Sequence, residues 1–306
     1  MPLHPWLVAL VALAATFPLL AGQESTQPAT TVDVLAIATD RYNRMTVAVR
    51  IADQGPFRFL IDTGAQNTVL STKLAERLAL RSNKKARQIG VAGVQDVDTV
   101  MIDQIDLGKR SFYGLLAPLL SGENIGADGI LGLDSLQGQR VQVDFRQGLI
   151  AVDDAKALGG DRGFEIVVTA RRSSGQLIVT NAVIDGIKVN VVIDTGAEYS
   201  IGNRILQTAL AKQHGQGTMM LRSVTGQEIT ADLAVVRNLK IDDMNFVNVV
   251  IAYADAPPFA ALGLAEKPAL FLGMRDMRAL DRIAIDFSTR RIYFDLPQGA
   301  YRNQYR

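Results

Sequence analysis

Apolar and polar positions alternate with a period of two along much of this chain of 306 residues, the pattern of strands that bury one face. Arg44–Ile51 reads as one such strand, Asp53-Gln54-Gly55-Pro56 as a turn, and the apolar run Phe59-Leu60-Ile61 as the end of a second strand. Far downstream the same plan returns. Leu177–Val183 reads as a strand, Asp185-Gly186 as a tight turn, and Val191-Val192-Ile193 as the end of the following strand. Each run ends in the same four residues, Asp62-Thr63-Gly64-Ala65 and Asp194-Thr195-Gly196-Ala197, 132 positions apart.

The parallel extends beyond these boxes. Each half reaches two large apolar residues and a glycine, Ile130-Leu131-Gly132 and Phe271-Leu272-Gly273, which lie 70 and 79 positions after the respective Asp. The longer spacing places an insertion in the Ala- and Pro-rich stretch Ala254–Ala269. A short helical segment and a strand follow each glycine, Val141–Phe145 and Ile283–Phe287, and each half closes with one more strand, Leu149–Val152 and Ile292–Phe294. Helices are few: Ser71–Leu80, with Ser71 as a cap, and its counterpart Asn203–Leu210. The chain therefore reads as mainly β, a duplicated domain whose halves span 32–152 and 164–297. A polar, Gly-rich linker joins them over 153–163, Gln23–Thr31 is a polar lead-in, and 298–306 is a polar tail.

Composition narrows the chemistry. There is no Cys, and the two His residues are His4, in the N-terminal leader, and His214, in a polar stretch that reads as a helix end. Zinc sites built on three His or on Cys are excluded, as is a thiol nucleophile, and neither metal nor cofactor is expected. A net charge of +1 gives no footprint for nucleic acid. Carboxylates are left as the working groups. Asp144 and Asp286 sit inside alternating strands and read as solvent-facing or turn-pairing residues, not as catalysts. The apolar run Leu7–Leu20, with small residues at Ala21 and Gly22, predicts a secretory signal over 1–22 and export; the alternative is an uncleaved anchor over 7–22 that would hold the protein at the membrane.

An Asp at a strand end followed by Thr and Gly has a physical logic. Glycine lets backbone N–H groups turn in on the carboxylate, and the Thr hydroxyl can donate to the opposite loop. If the halves pack about a pseudo-twofold axis, Asp62 and Asp194 meet. Two adjacent carboxylates share a proton, so one can take a proton from a trapped water while the other protonates the developing oxyanion.

On these motifs the chain resembles the retropepsin-like aspartic proteases, as two compact units fused in one chain, over about Val32 to Pro297. The resemblance implies tandem acid-protease β-barrel domains, catalysis by Asp62 and Asp194, and loop support from Thr63, Gly64, Ala65, Thr195, Gly196 and Ala197. It implies a structural role for Ile130, Leu131, Gly132, Phe271, Leu272 and Gly273. It also implies hairpin flaps over an extended protein or peptide substrate. The flap candidates are Val91, Ala92, Gly93 and Val94, and Val224, Thr225 and Gly226; Gly93 falls 31 residues after Asp62 and Gly226 falls 32 after Asp194. Neither candidate has the Tyr that pepsins carry near the flap tip. Retroviral relatives follow the apolar-apolar-Gly motif with Arg and then Asn or Asp, whereas here Leu133-Asp134 and Met274-Arg275-Asp276 follow.

Ala65 and Ala197 stand where pepsins place a hydroxyl that would favour the charged carboxylate, so the expected optimum is mildly acidic to near neutral, as suits a bacterial periplasm. The expected enzyme is a monomeric endopeptidase performing limited proteolysis of exported or membrane-attached proteins. Its alternatives are an intermolecular dimer with two sites and a catalytically idle peptide-binding module.

Overall fold

The computed structural model describes residues 34–36, 38–39, 44–210 and 215–297. The leader, the lead-in, His214 and the tail lie outside the described residues.

Three sheets organise the described residues. In the first half, the strand Met45–Ile51 pairs with Gln54–Ile61, which delivers Asp62. The strand Gly129–Leu131 then inserts between Gln54–Ile61, to which it is parallel, and Val69–Ser71, to which it is antiparallel. Pairing of Met45–Ile51 with the long strand Gly93–Leu107 closes the eight-stranded sheet on itself. The second half repeats every step. Gln176–Ile184 pairs with Ile187–Ile193, Ala269–Leu272 inserts between Ile187–Ile193 and Ser200–Gly202, and Glu228–Ile241 closes the sheet. The protein is thus mainly β, two tandem barrels of one design.

The turns that launch the two box strands differ from each other. Asp185 and Gly186 form the tight turn read from the sequence, at φ 44° and 88°. In the first half the turn is Ala52–Asp53, at φ 49° and 58°, and the expected turn residues Gln54, Gly55 and Pro56 already belong to the strand. Gly55, at φ 133°, serves a register shift between Val49 and Ile51, where an added Cβ would lie 2.8 Å from the Val49 carbonyl oxygen. The Gly-Pro signal marks a bulge, not a reversal.

The closing strands of the halves do not stay with their own barrels. Val34–Ala36, Leu149–Asp153 and Arg140–Asp144 of the first half join Arg282–Asp286, Arg291–Asp295 and Ile166–Thr169 of the second in one six-stranded sheet. Its central pair is Arg140–Asp144 against Arg282–Asp286, with Gln142 opposite Ala284, so equivalent strands lie on either side. Val141, Val143, Ile283 and Ile285 bury their side chains in a core shared by both halves. Fully burying side chains of this size stabilises by roughly 1.5–3 kcal/mol each. The described residues from this sheet and both barrels form one compact unit.

Asp286 corrects the expectation of a solvent-facing strand residue. It is 0% exposed and accepts from Arg140, itself 1% exposed, at 3.0 and 3.2 Å. Its other oxygen accepts from the Ser288 and Thr289 N–H groups, which is the turn-pairing half of the expectation. Burial works to raise its pKa, but Ser288, Thr289 and Arg140 outweigh it and hold the carboxyl below the ordinary value. Arg140 also reaches the Gly160 carbonyl and Asp161, which ties the 153–163 segment to the shared sheet. Asp144 is simpler, accepting from the Gln147 N–H at 2.8 Å in its turn.

Candidate active site

The boxes meet at the junction of the barrels. Each is fixed first to its own half: Asp62 N–H donates to Leu131 O at 3.1 Å and Asp194 N–H to Leu272 O at 3.0 Å, while Leu133 and Met274 donate to the Ala65 and Ala197 carbonyls at 2.9 Å. This explains the apolar-apolar-Gly motif. Leu131 and Leu272 supply the carbonyl and fill the core, Ile130 and Phe271 face the cleft, and the glycine passes a neighbouring backbone. A Cβ at Gly132 would lie 2.5 Å from Asn67, and one at Gly273 2.6 Å from Tyr199. The carboxylates that follow the motif find matching partners despite their one-residue offset. Asp134 accepts the Thr68 hydroxyl and Asp276 the Ser200 hydroxyl, and these same hydroxyl oxygens accept from the Gly132 and Gly273 N–H groups.

Each box is then fixed to the opposite half. The Thr63 hydroxyl donates to Ile193 O at 2.8 Å and accepts from Thr195 N–H at 3.2 Å. The Thr195 hydroxyl donates to Ile61 O at 2.7 Å and accepts from Thr63 N–H at 3.0 Å. Both Thr side chains are buried, so these four bonds have no water to replace them. The clasp sets the carboxylates within hydrogen-bonding reach of each other.

The glycines complete the arrangement. A Cβ at Gly64 would lie 2.7 Å from an Asp194 carboxylate oxygen, and one at Gly196 would lie 2.2 Å from Asp62. Only glycine permits so close an approach. Backbone N–H groups turn in on each carboxylate: Gly64 and Ala65 on Asp62 at 2.8 and 2.9 Å, and Gly196 on Asp194 at 2.9 Å, joined there by Ala197. Burial raises the pKa of Asp62 in spite of these donors and of the nearby Arg44. Burial, reinforced by the charge of Asp62, pushes Asp194 up to about 8. The two titrate as one unit that retains a shared proton toward neutral pH.

A cleft of about 580 Å3 opens over the carboxylates. The hairpin of Ser82–Gly90 and Gly93–Leu107 roofs it from the first half, and that of Gly215–Arg222 and Glu228–Ile241 from the second. Of the flap candidates, Val91 and Val224 line the cleft. Each tip crosses over: Val91 packs on the apolar cluster of the second barrel and Val224 on that of the first. Ala92 occupies the first tip, Gly93 and Val94 begin its returning strand, and Thr225 and Gly226 form the second tip. The tips abut. A Cβ at Gly90 would strike the Ser223 hydroxyl and one at Gly93 the Gln227 side chain, and Gln95 reaches Thr225 O at 3.4 Å.

The chain matches the aspartyl protease family over residues 47–135 and again over 180–275, well over half its length. It belongs to the aspartyl protease family. The two matched segments hold the two boxes, both flaps and both apolar-apolar-Gly motifs. The chain is also 29% identical over 103 residues to DNA damage-inducible protein 1 of Kluyveromyces lactis, a match covering 33% of this chain and 24% of that protein. The chain therefore spans about a quarter of the curated relative it matches.

Several cleft residues of this family member carry no motif signal. Arg44 and Gln176 lie beside the boxes, Ile89, Met219 and Leu221 line the cleft from the flap strands, and Pro258, Ala261 and Leu262 line it from the inserted segment. The insertion folds as the helix Pro257–Ala261, opened by its two prolines and packed against the first flap strand. One signal was available for Arg44 and Gln176: each stands 18 positions before its Asp.

Proposed function

We propose that this aspartyl protease is a single-chain endopeptidase in which Asp62 and Asp194 form one active site. The observation that carries the reading is the reciprocal Thr63–Thr195 clasp, which brings the two carboxylates of one chain together beneath two flaps. A water held between them loses a proton to one carboxylate as it attacks the scissile carbonyl, and the other carboxyl protonates the carbonyl oxygen to give a tetrahedral diol. On collapse, a diol hydroxyl returns its proton to the carboxylate that gave one. The protonated partner supplies the leaving nitrogen, the C–N bond breaks, and the dyad is restored.

The cleft suits an extended peptide with apolar side chains around the cut. Val69 and Ile130 line one side, and Ile201, Leu262 and Phe271 the other. The raised dyad supports activity in mildly acidic to near-neutral conditions. The apolar leader over 1–22 supports action on exported or membrane-attached proteins.

Digestion of a mixed peptide library by the wild type, Asp62→Asn and Asp194→Asn tests this. Cleavage by the wild type alone is the expected result. A wild type that binds peptides and cleaves none is an idle binding module, and a variant that cleaves as well as the wild type removes that Asp from the site.

A further inference from the structure

The barrels repeat each other closely around the dyad, but one equivalent pair of buried residues differs in charge. Arg44 and Gln176 are equivalent, each 18 positions before its Asp, and both are buried, at 7% and 3% exposure. They make the same contact across the junction. The Arg44 guanidinium donates to Gly196 O at 3.5 Å and to Ile125 O, and the Gln176 amide donates to Gly64 O. The strand register, with Thr46 opposite Leu60 and Ile178 opposite Val192, carries on to set Arg44 beside Asp62 and Gln176 beside Asp194. Asp62 thus has a buried cation across the strand pair, whose charge also reaches Asp194, and Asp194 has at the equivalent place a neutral amide whose Oε1 is buried without a hydrogen-bond partner.

We propose that Arg44 makes the two carboxylates chemically unequal, so that Asp62 is the charged member that takes the proton of the attacking water and Asp194 carries the proton delivered to the carbonyl oxygen. This rests on the endopeptidase reading. Water gives one proton to Asp62 and its oxygen to the carbonyl carbon; Asp194 gives its proton to the carbonyl oxygen and is left charged. Collapse of the diol reverses both transfers. Arg44 touches no reacting atom and is a positioning residue, acting through the field it sets at Asp62 and the grip it holds on Gly196.

Among the described residues, the remaining ionisable groups lining the cleft are Arg87 and Arg222 on the flap strands, and Glu198 and Tyr199 beyond the second box. Glu198 stands where the first half has Gln66, adding negative charge to the loop that carries Asp194. Its sign works in the same direction as Arg44. Arg44 works to lower both carboxyls, and the charge of Asp62 works to raise Asp194.

The test follows the carboxyl 13C resonances of labelled Asp through pH in single-carboxylate proteins. Asp62 in the Asp194→Asn protein should titrate at lower pH than Asp194 in the Asp62→Asn protein. Adding Arg44→Gln should at least halve the gap, and Arg44→Lys should preserve it. Gln176→Arg, the reciprocal change, should lower the Asp194 midpoint by about one pH unit, in the range a nearby opposite charge produces. This arm also carries the test if Arg44→Gln does not fold. Coincident titrations, a gap that survives Arg44→Gln, or an Asp194 midpoint unmoved by Gln176→Arg each overturn the proposal. The readout needs no turnover, so a protein that cleaves nothing yet shows the gap overturns the endopeptidase reading alone. In an active protein, Arg44→Gln should also move the acidic limb of kcat/KM upward by about one pH unit.

Discussion

The two halves of this chain agree closely at the box and diverge in the charged side chains that pack where one half meets the other. Thr63 and Thr195 make mirror-image bonds of nearly the same length. Arg140 and Arg282 occupy equivalent ends of the central strand pair and face Asp286 and Asp144 respectively. Yet Arg140 is sealed in a buried pair with Asp286, while Arg282 turns to Asp295 at 2.6 Å in a partly exposed one. Duplication supplied equivalent positions, and burial decided what each does. An ion sealed from water depends on its partner, and an accessible one does not.

The largest expected contrast lies in that pair. Arg140→Met leaves Asp286 without its buried counter-ion and should cost about 3–5 kcal/mol by chemical denaturation, whereas Arg282→Met should cost under about 1 kcal/mol. Equal losses would show that the two ends are alike after all.

The threonine clasp sharpens the comparison from the symmetric side. Thr63→Val and Thr195→Val each strand a buried carbonyl and N–H and should each destabilise by about 1–3 kcal/mol. The two losses should match, and the double variant should lose less than their sum because both hydroxyls serve one network. A clear inequality would mean that the halves are not equivalent even at the box.

Stability should also depend on pH with opposite signs in two regions. The dyad carboxyls titrate above their unfolded values, so the folded protein binds more protons than the unfolded one from about pH 4 upward, and stability falls as pH rises toward about 8. The slope for one proton is about 1.4 kcal/mol per pH unit at most. Asp286 titrates below its unfolded value, so its stabilising contribution is present above about pH 4 and is lost on further acidification. Asp194→Asn should flatten the upper region and leave the lower one intact; denaturation midpoints across pH read both.

The smallest effect concerns the launching turns. Ala52 is exposed and holds φ 49° where the second half has Asp185 followed by Gly186. Ala52→Gly should stabilise by up to about 1 kcal/mol, since the strain of a left-handed alanine outweighs the added chain entropy of glycine. Thermal melting measures it, and a loss of stability would mean that the turn is not strained.

What the sequence revealed and what it hid divide along the same line. The boxes, the flap positions and the apolar-apolar-Gly motifs are legible because each depends on residues close in sequence: an apolar run, a glycine, an alternation. Gly55-Pro56 misleads because bulges and turns use the same residues. The shared sheet, the burial of Asp286 and the place of Arg44 are not legible, because each is created where one half packs on the other. An Arg at a strand start reads as a solvated edge until the opposite barrel covers it.

The central claim is that Asp62 and Asp194 act as one unit across the junction. It is tested most directly by kcat/KM for Asp62→Asn, Asp194→Asn and the double variant on one cleaved peptide. The expected result is that either single substitution costs at least about 10²–10⁴-fold and the double costs no more. Losses that multiply in the double variant, or a single variant with wild-type activity, would contradict it.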